Sequence, residues 1–357
     1  MEKQRPDFIY PQGSMLMHSP LVLNKADMYG FFLKGKQANL QRSIDKTLNQ
    51  VAGSAMYFKV LSPYVLTTFT QIEKAYSAYP EDRAKGWIQE TDIITWVMVG
   101  RQDSSNSTQI SQVYFQPLHI WVNDAMALIN GRELFGYPKY LCEYTMPAVG
   151  EHLTRLSLAA KSFLHFSPET ELALHPLIEV NCDAKPEAQL STLEAITQTW
   201  QLFKEQTDFI PELDQLGEEQ LFHLLFKPAI DQVFLKQFPD SSGQKAVYQA
   251  IVAAPAQVNK VHSVALLKND FVATIFDNAS FPLQDTLGVE IGEQHVLLPY
   301  HVNFDFEVPP GEVLVDNSEI KKQKIAILGG GVAAMTAAKG YPLSTTNHYI
   351  LWLSIFN

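Results

Sequence analysis

The chain has 357 residues, of which 46% are hydrophobic and 18% are charged, so it can bury a substantial core. A formal net charge of −11 and a pI near 5.4 argue against binding to nucleic acid or to anionic membranes, which select basic surfaces. Two cysteines give no disulfide framework, and no apolar run approaches the roughly 20 residues of a spanning helix. The N-terminus lacks the layout of a signal peptide, so we expect a cytoplasmic protein with no membrane partner.

The first half of the chain is predicted to be rich in strands. Residues 1–18 are polar and contain two prolines, which predicts a loose N-terminal arm. From about 19 to 178 the pattern favours strands and turns, most clearly at Gln112–Val122, where aromatic and β-branched residues are concentrated. A helical insertion follows near 185–240. Its apolar face is predicted from residues that recur at three- and four-residue spacing: Leu193, Ile196, Trp200 and Phe203.

Strand character returns in the second half. Segments 261–267 and 271–276 are predicted to pair as a hairpin through the polar turn between them, and 296–308 is predicted as a further strand. The fold class is therefore α+β, with a dominant and closed sheet in a main domain over 19–310. A charged linker is predicted at 311–323.

The last segment, 324–357, begins with a short apolar strand followed by Gly329-x-Gly331-x-x-Ala334. These glycines at this spacing resemble the dinucleotide-binding fingerprint of FAD and NAD(P) enzymes. Only 23 residues follow Ala334, and no acidic residue stands where the ribose would be bound. We therefore predict an incomplete βα fragment and no bound cofactor, with FAD or NAD(P) expected only if the module were complete.

The motif that carries chemistry is Gly131-Arg132-Glu133-Leu134-Phe135-Gly136-Tyr137-Pro138-Lys139. An amine attacks a carbonyl only when it is unprotonated, whereas a solvated lysine has a pKa near ~10.4. A catalytic lysine must therefore be desolvated or held near another cation. Pro138 fixes the backbone before Lys139, and Tyr137 can form one wall of a dry pocket.

This segment resembles the Gly-Arg-Glu-Leu-x-x-Tyr-Pro-Lys motif of the acetoacetate decarboxylase family, whose lysine forms an imine with a β-keto acid. Two further segments are similar to the family: Gly86–Thr91, with Glu90 in the place of an active-site glutamate, and Phe276–Asp285. The resemblance covers about residues 20–310. It implies a β-rich closed barrel, decarboxylase-like lyase activity on a small keto acid, and assembly into a homo-oligomer.

The resemblance also implies roles for individual residues. Lys139 would form the imine, from which carbon dioxide leaves, and Glu90 would assist proton transfer or position the substrate. Lys34 is the best match for an arginine expected in an early strand, and with Arg132 and Tyr137 it would bind the substrate. Tyr140 stands where the family has a second lysine, so Lys139 would be activated by desolvation or by Arg132 or Lys34.

Other interpretations remain open at this stage. Lys139 can be a structural remnant, and Arg132 with Glu133 can form a structural ion pair. The chain can also be a non-catalytic binding or accessory domain of a truncated oxidoreductase fusion, or an FAD/NAD(P)-dependent oxidoreductase. The sequence has neither His-Glu-x-x-His nor Cys-x-x-Cys, so no metal site is predicted.

Overall fold

A computed structural model describes residues 7–10, 15–105, 107–182, 229–267 and 271–318. The chain forms two compact units, Met1–Asp316 and Asn317–Asn357, and every element named below belongs to the first. The helical pattern predicted around Leu193–Phe203 and the glycine motif from Gly329 lie outside the described residues. Within the described part, no helix has the length and apolar character needed to cross a membrane.

Fifteen strands make up most of the described part of the first unit. In chain order they are β1 (Leu21–Lys34), β2 (Tyr57–Val60), β3 (Tyr64–Ser77), β4 (Ile88–Gln102), β5 (Gln112–Val122), β6 (Lys139–Leu141), β7 (Glu143–Thr145), β8 (Arg155–Ser162), β9 (Ala173–Cys182), β10 (Ala229–Pro239), β11 (Ala246–Leu266), β12 (Phe271–Ile275), β13 (Gly292–His295), β14 (Leu297–Val308) and β15 (Glu312–Asp316).

The helices of the described part are short. They are α1 (Gln37–Ile44), α2 (Gln50–Ala52), α3 (Pro80–Arg83), α4 (Ala125–Asn130) and α5 (Leu283–Leu287), with π-helical turns at Asp45–Asn49 and Gly131–Phe135. The first π turn joins α1 to α2, and the second joins α4 to the segment that leads into β6.

Ten strands form the larger sheet, and five form the smaller one. In the larger sheet the pairings run from β4 through β3, β1, β14, β11, β10 and β5 and return to β4. Three further strands pair with members of this ring: β2 with β4, β6 with β5, and β15 with β11. All of these pairs are antiparallel except β5 with β6 and β5 with β10. The smaller sheet has the order β13-β12-β9-β8-β7. The predicted strand-rich α+β class is confirmed.

Two strand predictions have different outcomes. The strand at Gln112–Val122 is confirmed as β5. The hairpin prediction is wrong, because β11 pairs with β10, β14 and β15 in the larger sheet, whereas β12 pairs with β9 and β13 in the smaller one.

The predicted domain limits also need correction at both ends. Residues 15–18 are anchored rather than loose: Leu16 and Met17 are buried, and the Met17 amide donates to Asn130 Oδ1 at 2.8 Å. The predicted linker begins too early, because Glu312–Asp316 forms β15 against β11 and extends the first unit to Asp316.

The two faces of β4 are different in character because successive side chains of a strand project to opposite sides. One face carries Glu90, Asp92 and Ile94, and we call it the lysine face. Ile94 is level with Ile120 of β5, which in turn is level with Lys139 of β6. The opposite, reverse face belongs to the main core, whose buried residues include Phe69, Ile93, Trp121, Leu156 and Ile178.

Candidate active site

The lysine segment is positioned by α4 and the π turn that continues it. Asp124 begins the helix, and its Oδ1 accepts hydrogen bonds from the amides of Met126 at 2.8 Å and Ala127 at 3.1 Å. The turn ends at Gly136, whose φ of 92° is a left-handed conformation that favours glycine. The chain then runs straight into β6, so Lys139 begins the strand beside β5.

Gly131 lies directly against the lysine side chain. A Cβ atom at position 131 would lie 2.6 Å from Lys139 Cδ and 2.7 Å from Cε, closer than real Cβ contacts. The backbone of Gly131 is ordinary right-handed helix, with φ of −62° and ψ of −45°. The glycine is therefore required by the space that the lysine side chain occupies and not by its own backbone conformation.

The amine of Lys139 lies beside two carboxylates. Lys139 Nζ is 3.1 Å from Asp92 Oδ1, and these side chains are only 8% and 14% exposed. Glu90 is buried two residues before Asp92 on the same face of β4, and its charge also acts on the amine. The structure thus brings the predicted pair Lys139 and Glu90 to one site and adds Asp92 to it.

These groups shift one another's protonation. Burial lowers the pKa of Lys139, but the negative charges of Asp92, Glu90 and Asp124 outweigh burial and leave that pKa above its ordinary value. Burial and then the charge of Asp92 raise the pKa of Glu90 to about 7. At neutral pH the amine is therefore an ammonium, while Glu90 can either give or take a proton.

This electrostatic setting corrects the expectation about activation. Desolvation or a cation such as Arg132 or Lys34 was predicted to keep the pKa of Lys139 low. Burial does act in that direction, but every charge found to act on the amine is a carboxylate. The carboxylate in contact with the amine, and so the nearest group that can accept its proton, is Asp92.

A buried apolar cluster lies level with Lys139, whereas Thr70, which is level with Asp92 on β3, is buried and polar. Ile94, Ile120, Val122 and Ala127 form a buried cluster, and Tyr137 packs against it. The Tyr137 ring centre is 5.6 Å from Lys139 Nζ, and its hydroxyl donates to Gln232 Oε1 at 2.8 Å. Tyr137 therefore forms one side of the site.

Arg132 serves the backbone and does not face the amine. Its guanidinium donates from Nη1 to the carbonyl oxygen of Lys139 at 3.2 Å, and the residue is exposed. The alternative of an ion pair with Glu133 is not realised, since no ion pair joins these two described and exposed residues. Arg132 thus fixes the start of β6.

Lys34 is not brought to the site. Glu90 is level with Ile72 of β3, which is level with Ala26 of β1, and Lys34 stands eight residues further along β1. At about 3.3 Å per residue this places Lys34 roughly 26 Å along the strand from that level. Lys34 also stands four residues along β1 from Gly30, which is level with Lys139 through Thr68, Ile94 and Ile120. Its exposed side chain is not among the groups whose charge acts on Lys139.

Tyr140 points away from the amine. It is level with Trp121 on the reverse face, is 53% exposed, and its ring lies 5.0 Å from that of Phe281. The Phe276–Asp285 segment that supported the resemblance packs on this reverse side, where Asn278 Nδ2 donates to Ser162 Oγ at 2.8 Å. The residue that follows the lysine therefore cannot tune the lysine's pKa by direct contact here.

Asp92 is the site residue that sequence reasoning missed. The available signal was a carboxylate pair at two-residue spacing, Glu90-x-Asp92, entering the apolar run Ile93-Ile94. In a strand such a pair lies on one face. As for metals, the described residues contain no group of three or more His, Cys, Asp or Glu side chains placed to hold an ion.

Comparison with known proteins places the residues around Lys139 in a known family model. Residues 39–163, which include Glu90, Asp92 and Lys139, match the family model described as acetoacetate decarboxylase. No curated protein matches the chain. The predicted resemblance is thus confirmed over this segment, while the dinucleotide-binding fragment, outside the described residues, stays a prediction.

Solved structures share the fold at low identity. An acetoacetate decarboxylase from Legionella pneumophila has a TM-score of 0.54 at 12% identity, over 89% of this chain and 94% of that one. A second acetoacetate decarboxylase structure gives 0.52 at 14% identity, over 86% and 94%. An acetoacetate decarboxylase-like enzyme from Sphingomonas wittichii gives 0.50 at 13% identity, over 86% and 98%. These similarities show the fold.

Proposed function

We propose that this chain is an enzyme that forms an imine between Lys139 and a small carbonyl compound of the keto-acid type. The observation that carries the proposal is the buried amine of Lys139, 3.1 Å from Asp92 and on the same face as Glu90. Burying three ionisable groups together costs free energy that a purely structural role does not require. The acetoacetate decarboxylase family match over residues 39–163 supports the same chemistry.

Imine formation can be followed proton by proton. The Lys139 ammonium gives a proton to Asp92, and the neutral amine adds to the carbonyl carbon to form a carbinolamine. Glu90, with its pKa raised to about 7, protonates the departing hydroxyl, so water leaves and a C=N bond forms. A group that titrates near neutrality suits this exchange, because it is present in both protonation states.

The imine then acts as an electron sink. When the compound carries a β-carboxylate, the bond to carbon dioxide breaks and its electron pair forms the enamine. When it carries an α C–H bond, a carboxylate takes the proton and leaves the same enamine. Reprotonation of the enamine carbon and hydrolysis of the imine return free Lys139. In the first case the protein acts as a lyase.

A second candidate is a non-catalytic binding or accessory domain. It is favoured by the raised pKa of Lys139, because an ammonium held by Asp92 is not a nucleophile. The two candidates differ in turnover: an enzyme passes many carbonyl molecules through the imine, whereas a binding domain passes none.

Exchange of α-hydrogens tests turnover directly. Acetone in deuterium oxide loses its methyl protons slowly on its own, and proton NMR follows this loss in the presence of the protein. We expect acceleration by the wild type, none by Lys139→Ala, and full acceleration by Lys161→Ala, a matched change at an exposed lysine of β8. Equal exchange by wild type and Lys139→Ala would reject the proposal.

A further inference from the structure

We propose that Asn130 is a positioning residue for the reaction at Lys139. Asn130 ties the end of α4 to residues 15–17 and so holds the turn that follows, Gly131–Phe135, against the lysine side chain. The inference rests on the proposed imine chemistry and adds a residue to it. Asn130 acts through the turn and not by touching the reacting atoms.

The first support is the set of hydrogen bonds that the Asn130 side chain makes. Its Oδ1 accepts from the Met17 amide at 2.8 Å, and its Nδ2 donates to the carbonyl oxygens of Met15 and Met126, each at 2.9 Å. Asn130 is only 3% exposed, and buried polar groups that lose a partner cost free energy. The three bonds therefore hold the end of α4 and residues 15–17 in one arrangement.

The second support is that the segment bound by Asn130 is itself fixed to the larger sheet. The His18 amide donates to Oδ2 of Asp82, in α3, at 2.6 Å. Ser77 Oγ, at the end of β3, donates to the His18 carbonyl oxygen at 2.6 Å. The His18 ring also stacks on Tyr79 with its centre 4.3 Å away. Asn130 therefore connects the end of α4 to β3 and α3 through an anchored segment.

The third support is the contact between the turn and the lysine. A Cβ atom at Gly131 would lie 3.3 Å from Lys139 Nζ and closer still to Cδ and Cε, so the last atoms of the lysine side chain lie on the backbone at 131. The Gly131 carbonyl oxygen accepts from the amides of Gly136 and Tyr137, each at 3.1 Å, which closes the turn before β6. A shift at the end of α4 is therefore passed to Gly131 and from there to the lysine amine.

The position of the amine affects the rate of the reaction. Lys139 Nζ passes its proton to Asp92, 3.1 Å away, and must then reach the carbonyl carbon. Misplacing a reacting group by about 1 Å can cost on the order of a hundredfold in rate. An asparagine that served stability alone would leave the rate of the folded molecules unchanged, so the rate per folded molecule separates a positioning role from a structural one.

Asn49 offers a matched control for the loss of hydrogen bonds. It ends the other π turn, where its Oδ1 accepts from the Phe58 amide at 2.7 Å. Its Nδ2 donates to Asp45 Oδ1 at 2.7 Å and to the Phe58 carbonyl oxygen at 2.9 Å. Asn49→Ala therefore removes one accepted and two donated hydrogen bonds, as Asn130→Ala does, but from the turn that joins α1 to α2.

Exchange of acetone methyl protons in deuterium oxide measures the effect on the full chain. Proton NMR gives kcat/KM for each variant, and urea unfolding gives the folded fraction by which it is divided. We expect Asn130→Ala to lower kcat/KM per folded molecule about tenfold or more, and borohydride trapping on Lys139 to slow in parallel. Asn49→Ala should stay within about twofold of the wild type in both measurements.

Asn130→Asp is a second variant of nearly the same shape, which carries the test if the alanine variant does not fold. The introduced carboxyl group can still accept from the Met17 amide, but it donates to Met15 or Met126 only when it is protonated. We therefore expect its kcat/KM per folded molecule to be low at neutral pH. Relative to the wild type at the same pH, it should recover as the pH is lowered, a change that a purely structural role would not produce.

The outcomes separate the two proposals. An active wild type, slow Asn130 variants and an unaffected Asn49→Ala support the inference. Asn130 variants that keep the wild-type rate per folded molecule, or an Asn49→Ala that slows as much as Asn130→Ala, overturn the inference and leave the imine chemistry intact. A wild type that neither accelerates exchange nor forms a Lys139 adduct overturns the proposed function, and the inference with it.

Discussion

Replacing Gly131 by alanine should displace the side chain of Lys139. The added Cβ would lie 2.6 Å from Lys139 Cδ and 2.7 Å from Cε, so the lysine must move. Overpacking of this kind costs about 1–3 kcal/mol. Against this, alanine is favoured over glycine by up to about 1 kcal/mol in a helix. Since the backbone at 131 is helical, we expect a net loss of up to about 2 kcal/mol in the free energy of unfolding.

The same substitution should also slow the chemistry of Lys139. Misplacing a reacting group by about 1 Å can cost on the order of a hundredfold in rate, so borohydride trapping on Lys139 should slow at least tenfold. Urea unfolding gives the stability, and a double-mutant cycle assigns its cause. In a Lys139→Ala background the cost of Gly131→Ala should vanish. An equal cost in both backgrounds would refute a clash with Lys139.

Three further substitutions test separate parts of the site. Glu90→Gln should flatten the pH dependence of stability, measured by urea unfolding at several pH values. In the folded wild type the pKa of Glu90 is raised from 4.5 to about 7. The contribution of Glu90 to the free energy of unfolding therefore falls by about 3 kcal/mol as the pH rises from 4.5 to about 7. Tyr137→Phe should cost about 1 kcal/mol of stability in the same assay, because Gln232 loses its hydrogen-bond donor. Tyr140→Lys should change the trapping rate on Lys139 by less than about twofold, because position 140 faces Phe281 on the reverse face; a large acceleration would contradict that placement.

Local sequence patterns predicted those parts of the fold that local forces determine. Gln112–Val122 is a strand because its residues are aromatic and β-branched, and the structure has β5 at those residues. The hairpin prediction failed for the opposite reason. A short turn between two strand-like segments does not specify partners, and β11, with 21 residues, is committed to the larger sheet, whereas β12 joins the smaller one.

The site was predictable where a motif determines it. Lys139 and Glu90 were predicted from the resemblance of their segments to the acetoacetate decarboxylase family, but Asp92 becomes a neighbour of Lys139 only through the pairing of β4, β5 and β6. Lys34 was a plausible cation in sequence, yet the register of β1 and β3 carries it far from Glu90. Register depends on contacts between distant segments, which the order of residues in one segment does not reveal.

The most direct test of the account is the position of the covalent adduct. The protein is incubated with methyl acetoacetate and borohydride, its intact mass is measured, and the modified peptide is sequenced by mass spectrometry. We predict one adduct per chain, located on Lys139. The Lys139→Arg variant keeps the charge beside Asp92 and should not reach one adduct per chain. Adducts spread over exposed lysines, with equal labelling of wild type and Lys139→Arg, would contradict the assignment of Lys139 as the reacting amine.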